Sequence, residues 1–318
     1  MWLGLDIGGT KLALAVGDER GRIAARRRRA MRPSGSARRD VDAMLAEARE
    51  LLSEAGVAPG ALRGVGVAAP GPIDFQRGEI EAPPNLPGWG RVPLAAWFSE
   101  ALGAPVRLEN DANAAALAEW RFGAGQGARN LVYLTMSTGV GGGLVLDGRL
   151  YRGARGGAGE VGHMPVEWDG EPCGCGRRGC LEAYVGGRCW GERLRRETPD
   201  GSEVMRRAGA REAIRPEHAV EAARAGDAFA RAELERWNHY LARGLTALCY
   251  ALTPEVFVLG TIAVAAGEEL CLEPVRRAVA DAVWPTLFEG TEIRAAALGA
   301  DAPYYAALCA ALPDAEPG

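Results

Sequence analysis

One short pattern occurs twice in this chain of 318 residues. Residues 2–7 (WLGLDI) form an apolar run, Gly8-Gly9-Thr10 interrupts it, and residues 11–17 (KLALAVG) resume it. Residues 131–136 (LVYLTM) open the second copy. A glycine-rich stretch, 137–143 (STGVGGG), follows, then 144–146 (LVL), closed at Asp147-Gly148. Apolar runs of this length bounded by glycine read as strands joined by tight turns. A strand–turn–strand unit with a threonine in its turn, placed at the head of each half, predicts a duplicated α/β domain with a cleft between the copies.

The segments behind each hairpin continue the theme. In the first half a third strand follows Gly21. A helix is expected at 40–55, stopped by Gly56. Then come a strand at 62–69, a helix at 93–102, a strand at 105–109 and a helix at 112–122. In the second half the longest expected helix is 227–252, with Phe229, Leu234, Trp237, Leu241, Leu245, Leu248 and Leu252 along one stripe. A strand at 255–259, a helix near 265–283, a strand at 291–297 and a last helix at 302–312 complete it. Strands alternating with helices give a mostly parallel sheet, and the length suits two domains.

Composition narrows the function. The net charge of −4 argues against a nucleic-acid partner, so the run Arg26–Arg29 reads as a solvated strand. No apolar stretch reaches membrane-spanning length and no basic leader precedes Trp2, so a cytoplasmic location without a membrane partner is expected. The 37 basic residues include a single lysine, Lys11, directly after the first glycine turn. Arginine and lysine are not interchangeable at tight sites.

The first turn offers chemistry. Glycines let backbone N–H groups approach an anion, Thr10 offers a hydroxyl, and Asp6 at the strand end can hold Mg²⁺ directly or through water. A plain hairpin turn accounts for the same residues. The second turn repeats the logic. Gly64-Val65-Gly66-Val67-Ala68-Ala69 matches a dinucleotide fingerprint, but its glycines lie inside a strand, and Pro70-Gly71-Pro72 stands where a helix must open. Glu109-Asn110-Asp111 ends a strand at the start of an alanine-rich helix. Asn or Asp there is a favoured N-cap, or a carboxylate placed to take a proton from a hydroxyl attacking a γ-phosphate. His163, Cys173, Cys175 and Cys180 fall within 18 residues, a set suited to closed tetrahedral zinc or, alternatively, a group of reduced thiols. Glu160 and Glu182 flank that cluster.

Together DIGGTK (6–11), GVGVAAPGPID (64–74), LENDANAAALAE (108–119), STGVGGGLVLDGRLYRG (137–153), GEVGH (159–163) and CGCGRRGCLE (173–182) resemble the ROK family of bacterial sugar kinases, within the actin/hexokinase-like ATPase superfamily. The resemblance covers nearly the whole chain. It implies an α/β, two-domain actin-like/ribonuclease H-like ATPase fold. The small domain would be 1–115 plus 300–318, and the large domain 116–299 with a zinc loop at 163–180. It implies an ATP-dependent hexose kinase, glucose to glucose 6-phosphate first, with N-acetylglucosamine, N-acetylmannosamine or fructose as alternative acceptors. A non-catalytic sugar sensor is the reading from another class, and the absence of a helix-turn-helix before residue 6 speaks against a repressor.

Under the resemblance Asp111 is the catalytic base, and Gly71, Asn110, Glu160, His163 and Glu182 hold the sugar. Asp6, Gly8, Gly9, Thr10, Lys11, Thr138, Gly139, Gly141 and Gly260 take ATP and Mg²⁺. His163, Cys173, Cys175 and Cys180 hold structural Zn²⁺. The protein would be a homodimer or higher homo-oligomer. One departure stands out: Gly260-Thr261 replaces the glycine pair the family usually has near the adenosine.

Overall fold

The opening hairpin forms in the computed structural model, which describes residues 1–58 and 60–313. Strand β1 (Trp2–Ile7) turns at Gly8–Thr10 into β2 (Lys11–Gly17), and β3 (Ile23–Ala30) runs antiparallel beside β2. Helix α1 (Ala37–Glu54) starts three residues earlier than its apolar spacing indicates, because the Ser36 side chain accepts the Arg39 N–H and caps it. Strand β4 (Gly64–Ala69) lies parallel to β1. Three short strands, β5 (Ile73–Asp74), β6 (Glu79–Glu81) and β7 (Arg91–Val92), form a small antiparallel sheet that the sequence reading lacks. Runs of two or three residues are too short to show an alternation. Helix α2 (Leu94–Leu102), strand β8 (Val106–Asn110) and helix α3 (Asp111–Phe122) follow.

The chain divides into two compact units. Met1–Gln126, Gly148–Gly157 and the residues from Leu298 onward form the first; Gly127–Asp147 and Ala158–Ala297 form the second. The first unit's main sheet is ordered β3-β2-β1-β4-β8. One face carries Leu3, Leu5, Ile7, Leu12, Leu14, Val65 and Val67 against Val41, Met44 and Leu45 of α1. On the other face Ala68 packs with Ala114, Leu117 and Ala118 of α3 and with Ala306 and Ala310 of the helix Ala302–Ala311. A side chain at Gly4 would collide with the backbone of Ala307, and one at Gly66 with that of Ala310 and Ala311. Gly66 thus lets the helix Ala302–Ala311 approach the strand, so the glycine of the fingerprint-like run serves packing inside β4 rather than a turn before a helix. Residues 314–318 of the expected 300–318 segment lie outside the described residues.

The second unit repeats the plan. Strand β9 (Leu131–Met136) pairs antiparallel with β10 (Val140–Leu146). The short β11 (Arg149–Leu150) belongs to the first unit and adds Leu150 to the cluster around α3. β12 (Val256–Thr261) runs parallel to β9, and β13 (Glu292–Ala295) parallel to β12. Within the unit the order β10-β9-β12-β13 matches β2-β1-β4-β8 in sequence and direction. The long helix is Ala228–Leu252, and Leu234, Trp237, Leu241, Leu245 and Leu248 of its stripe are buried. The helix expected near 265–283 is three pieces: Ile262–Gly267, a π-helical turn Glu268–Leu272, and Glu273–Ala282. Among the described residues no helix is long and apolar enough to cross a membrane.

Candidate active site

In the first unit β1 and β8 deliver their C-terminal ends to one end of the sheet, with β4 between them. The Gly8 N–H donates to Lys11 O at 2.8 Å and closes the turn. A side chain at Gly9 would meet Asn85 O at 2.6 Å, so this glycine is needed for space. Thr10 and Lys11 are exposed. Lys11 opens β2 opposite Ala30.

Asn110, the last residue of β8, is the cap of α3: its Oδ1 accepts the N–H of Ala112 at 2.9 Å and of Asn113 at 3.2 Å. Asp111 is the first residue of the helix proper and is exposed. The cap reading thus falls on Asn110, which leaves the Asp111 carboxylate outside the cap. A side chain at Gly71 would touch Asn110 Nδ2. Burial, then the negative charge of Asp111, push the Asp6 carboxyl up to about 7, while the Arg28 guanidinium works in the opposite direction. A buried carboxylate raised by a second one beside it marks a site suited to proton transfer or a cation.

Sequence reasoning missed what supports this corner. Glu109 is 2% exposed. It accepts from Asn110 N at 3.0 Å, Asn113 Nδ2 at 2.9 Å, and Arg152 Nε and Nη2 at 2.8 and 2.7 Å. Its position inside the end of a strand was the available signal; its partner is 43 residues away in sequence.

In the second unit the expected glycine turn 137–143 needs correction. Only residues 137–139 lie outside the strands, and Gly141, Gly142 and Gly143 are inside β10, opposite Thr135, Leu134 and Tyr133. Gly142 makes room for a crossing segment: a side chain there would meet Val161 Cγ2 at 2.5 Å and Gly159 O at 2.7 Å. Gly141, expected as a phosphate-turn residue, is thus a strand residue. Thr138 and Gly139 stay in the turn, where Val140 N donates to Glu182 Oε2 at 2.9 Å. Glu182, in helix α4 (Leu181–Val185), also accepts from the Cys173 thiol at 3.8 Å. It ties the turn to the cysteine loop. Glu160 precedes a 3₁₀ turn, Val161–His163, that carries His163 into that loop.

The metal ligand set does assemble. The ligand atoms of His163, Cys173, Cys175 and Cys180 all lie within 4.8 Å of one another. Cys175 Sγ and Cys180 Sγ are 3.7 Å apart, as are Cys173 Sγ and His163 Nδ1. Zinc–sulfur bonds of about 2.3 Å at tetrahedral angles put sulfur atoms roughly 3.8 Å apart, so the residues fit a closed zinc site. His163 presents Nδ1 to the thiols, which leaves Nε2 for another partner. Burial pushes the Cys173 thiol up to about 12, so a cation is what would hold it as thiolate. All seven cysteines are free of disulfides.

The sequence profile of the ROK family matches residues 2–312. The chain belongs to the ROK family. A glucokinase of Thermotoga maritima is 36% identical over 306 residues, 94% of this chain and 93% of that protein. The crystal structure of the ROK hexokinase from Thermus thermophilus is 36% identical, with a TM-score of 0.79 over 97% of each chain. A ROK family glucokinase from Streptomyces griseus, in complex with glucose and AMPPNP, is 35% identical, with a TM-score of 0.76 over 97% of this chain and 98% of that one. The fold is the α/β actin-like ATPase fold of these ROK proteins.

In this ROK chain Gly260 lies at the end of β12, where a side chain would meet Tyr133 Oη at 3.0 Å. Thr261 follows with φ 53°. A threonine at such a φ is strained by roughly 1–3 kcal/mol. A hydrogen bond at 2.6 Å between its Oγ1 and Thr135 Oγ1 helps hold it.

Proposed function

We propose that this chain is an ATP-dependent hexose kinase that transfers the γ-phosphate to the 6-hydroxyl of glucose. The observation that carries the reading is Asp111: an exposed carboxylate at the N-terminus of α3, beyond the end of β8, on a corner locked by the Asn110 cap and by the pair of buried Glu109 with half-buried Arg152. The 35–36% identity to proteins named glucokinase or hexokinase supports it.

In this mechanism Asp111 accepts the hydroxyl proton while the sugar oxygen attacks the γ-phosphorus and ADP leaves. Asn110 and the backbone at Gly71 orient the sugar from the first unit; Glu160, Glu182 and the Nε2 of His163 supply further hydrogen bonds. Backbone N–H groups at Gly8–Thr10 and Thr138–Gly139 hold phosphate oxygens. Asp6 would hold Mg²⁺, which neutralises phosphate charge. The cysteine loop would hold Zn²⁺ as a structural ion, fixing His163. The protein acts as a homodimer or larger homo-oligomer.

The test is a coupled ADP-release assay over hexoses and N-acetylhexosamines. Glucose is expected to show the highest kcat/KM. ADP release with none of these sugars contradicts the reading, and a preference for an N-acetylhexosamine moves the substrate assignment.

A further inference from the structure

Strand β3 carries four consecutive arginines, and three are committed to carboxylates. Arg26 pairs with Asp301 and stacks over Tyr304; Arg27 pairs with Glu50 and Glu54; Arg29 pairs with Glu47. Arg28 is exposed, and among the described residues its side chain makes no hydrogen bond, ion pair or ring contact, though its charge acts on Asp6. Its place in the register sets it apart. Asp6 is paired with Ala13, and Ala13 with Arg28, so the three form one row across β1, β2 and β3 and share a face of the sheet. Strands about 4.8 Å apart put the Arg28 Cα roughly 10 Å from that of Asp6. An arginine side chain covers most of that span over the small Ala13. Lys11, two residues before Ala13, projects from the same face.

The helix Ala302–Ala311 covers the neighbouring row of Gly4 and Ala15, next to Arg26. The row ending in Arg28 lies nearer the turn, on the side of Asp6 and Asp111. This end of the unit thus holds two carboxylates, Asp6 on the sheet and Asp111 at the start of α3, with two cations, Arg28 and Lys11, whose side chains are bonded to no carboxylate among the described residues. Carboxylates suit a hydroxyl proton or a metal; a planar guanidinium suits two oxygens of a phosphoryl group.

We propose that Arg28 is a phosphate-binding residue of this site, its guanidinium taking the phosphoryl group that is transferred. The proposal rests on the kinase reading. Two sources share that chemistry: the terminal phosphate of the nucleotide and the phosphate of the hexose phosphate product. Arg28→Gln and Arg28→Lys are compared with Arg26→Gln, whose arginine is already paired. Calorimetric titration with AMPPNP and with glucose 6-phosphate reads binding without turnover.

Arg28→Gln is expected to weaken one of the two ligands roughly tenfold, the scale of a charged hydrogen bond. Glucose affinity and the urea midpoint should stay unchanged, and Arg28→Lys should recover part of the loss. Loss confined to AMPPNP assigns the nucleotide phosphate, and loss confined to glucose 6-phosphate assigns the product. If neither affinity moves, or if Arg26→Gln lowers both equally, the proposal is overturned. A wild-type protein that binds AMPPNP through Arg28 yet transfers no phosphate contradicts the kinase reading instead.

Discussion

Asp6 lies at the end of β1 with a carboxyl pushed from its ordinary 3.8 up to about 7 by burial and by Asp111. The raised value makes the folded state bind a proton more tightly than the unfolded chain. The stability this contributes is fully present below pH 4 and is lost as pH rises through 7. Asp6→Asn, a neutral replacement of the same shape, should therefore exceed wild type in urea midpoint at pH 8, with the gap closing toward pH 4. A gap that does not change with pH would refute that assignment. Single residues were legible here when their role is local. Asn110 was visible as a cap from its place before an alanine-rich helix, and Asp111 as the carboxylate beside it. Glu109 and Arg152 depend on each other across the sequence, and the place of Arg28 beside Asp6 depends on strand register. Their placement follows from register and packing, which composition and spacing do not encode.

At the scale of elements, the cysteine loop is the case where spacing sufficed. Four ligands within 18 residues, with Gly176 and Gly179 at φ 84° and 72°, can wrap an ion without help from elsewhere. Cys175→Ser is expected to lose one equivalent of zinc by metal analysis. It should also weaken sugar binding about tenfold, because His163 loses its anchor. Unchanged zinc content would refute the site. The stretch 137–143 shows the opposite case. Three consecutive glycines read locally as a turn, yet they continue β10, and the segment at 159–162 crosses the strand at Gly142, where a side chain would collide. Gly64 and Gly66 follow the same rule in β4. Glycine in a strand marks close approach by another segment, and the sequence alone does not distinguish that from a turn.

For the whole molecule, the repeated strand–turn–strand pattern reported the architecture. The orders β2-β1-β4-β8 and β10-β9-β12-β13, with the same directions, are two copies of one plan. The duplication was readable because each copy begins with an apolar hairpin whose period and turn chemistry are local. The small sheet β5–β7 and the π-helical break at Glu268–Leu272 were not, since neither carries a period long enough to detect. In the proposed reaction Asp111 removes the proton from the attacking hydroxyl. The most direct test measures kcat and glucose affinity together for Asp111→Asn. A fall in kcat of about 10²–10⁴-fold is expected, with glucose affinity within a few-fold of wild type. Turnover near the wild-type value would contradict it.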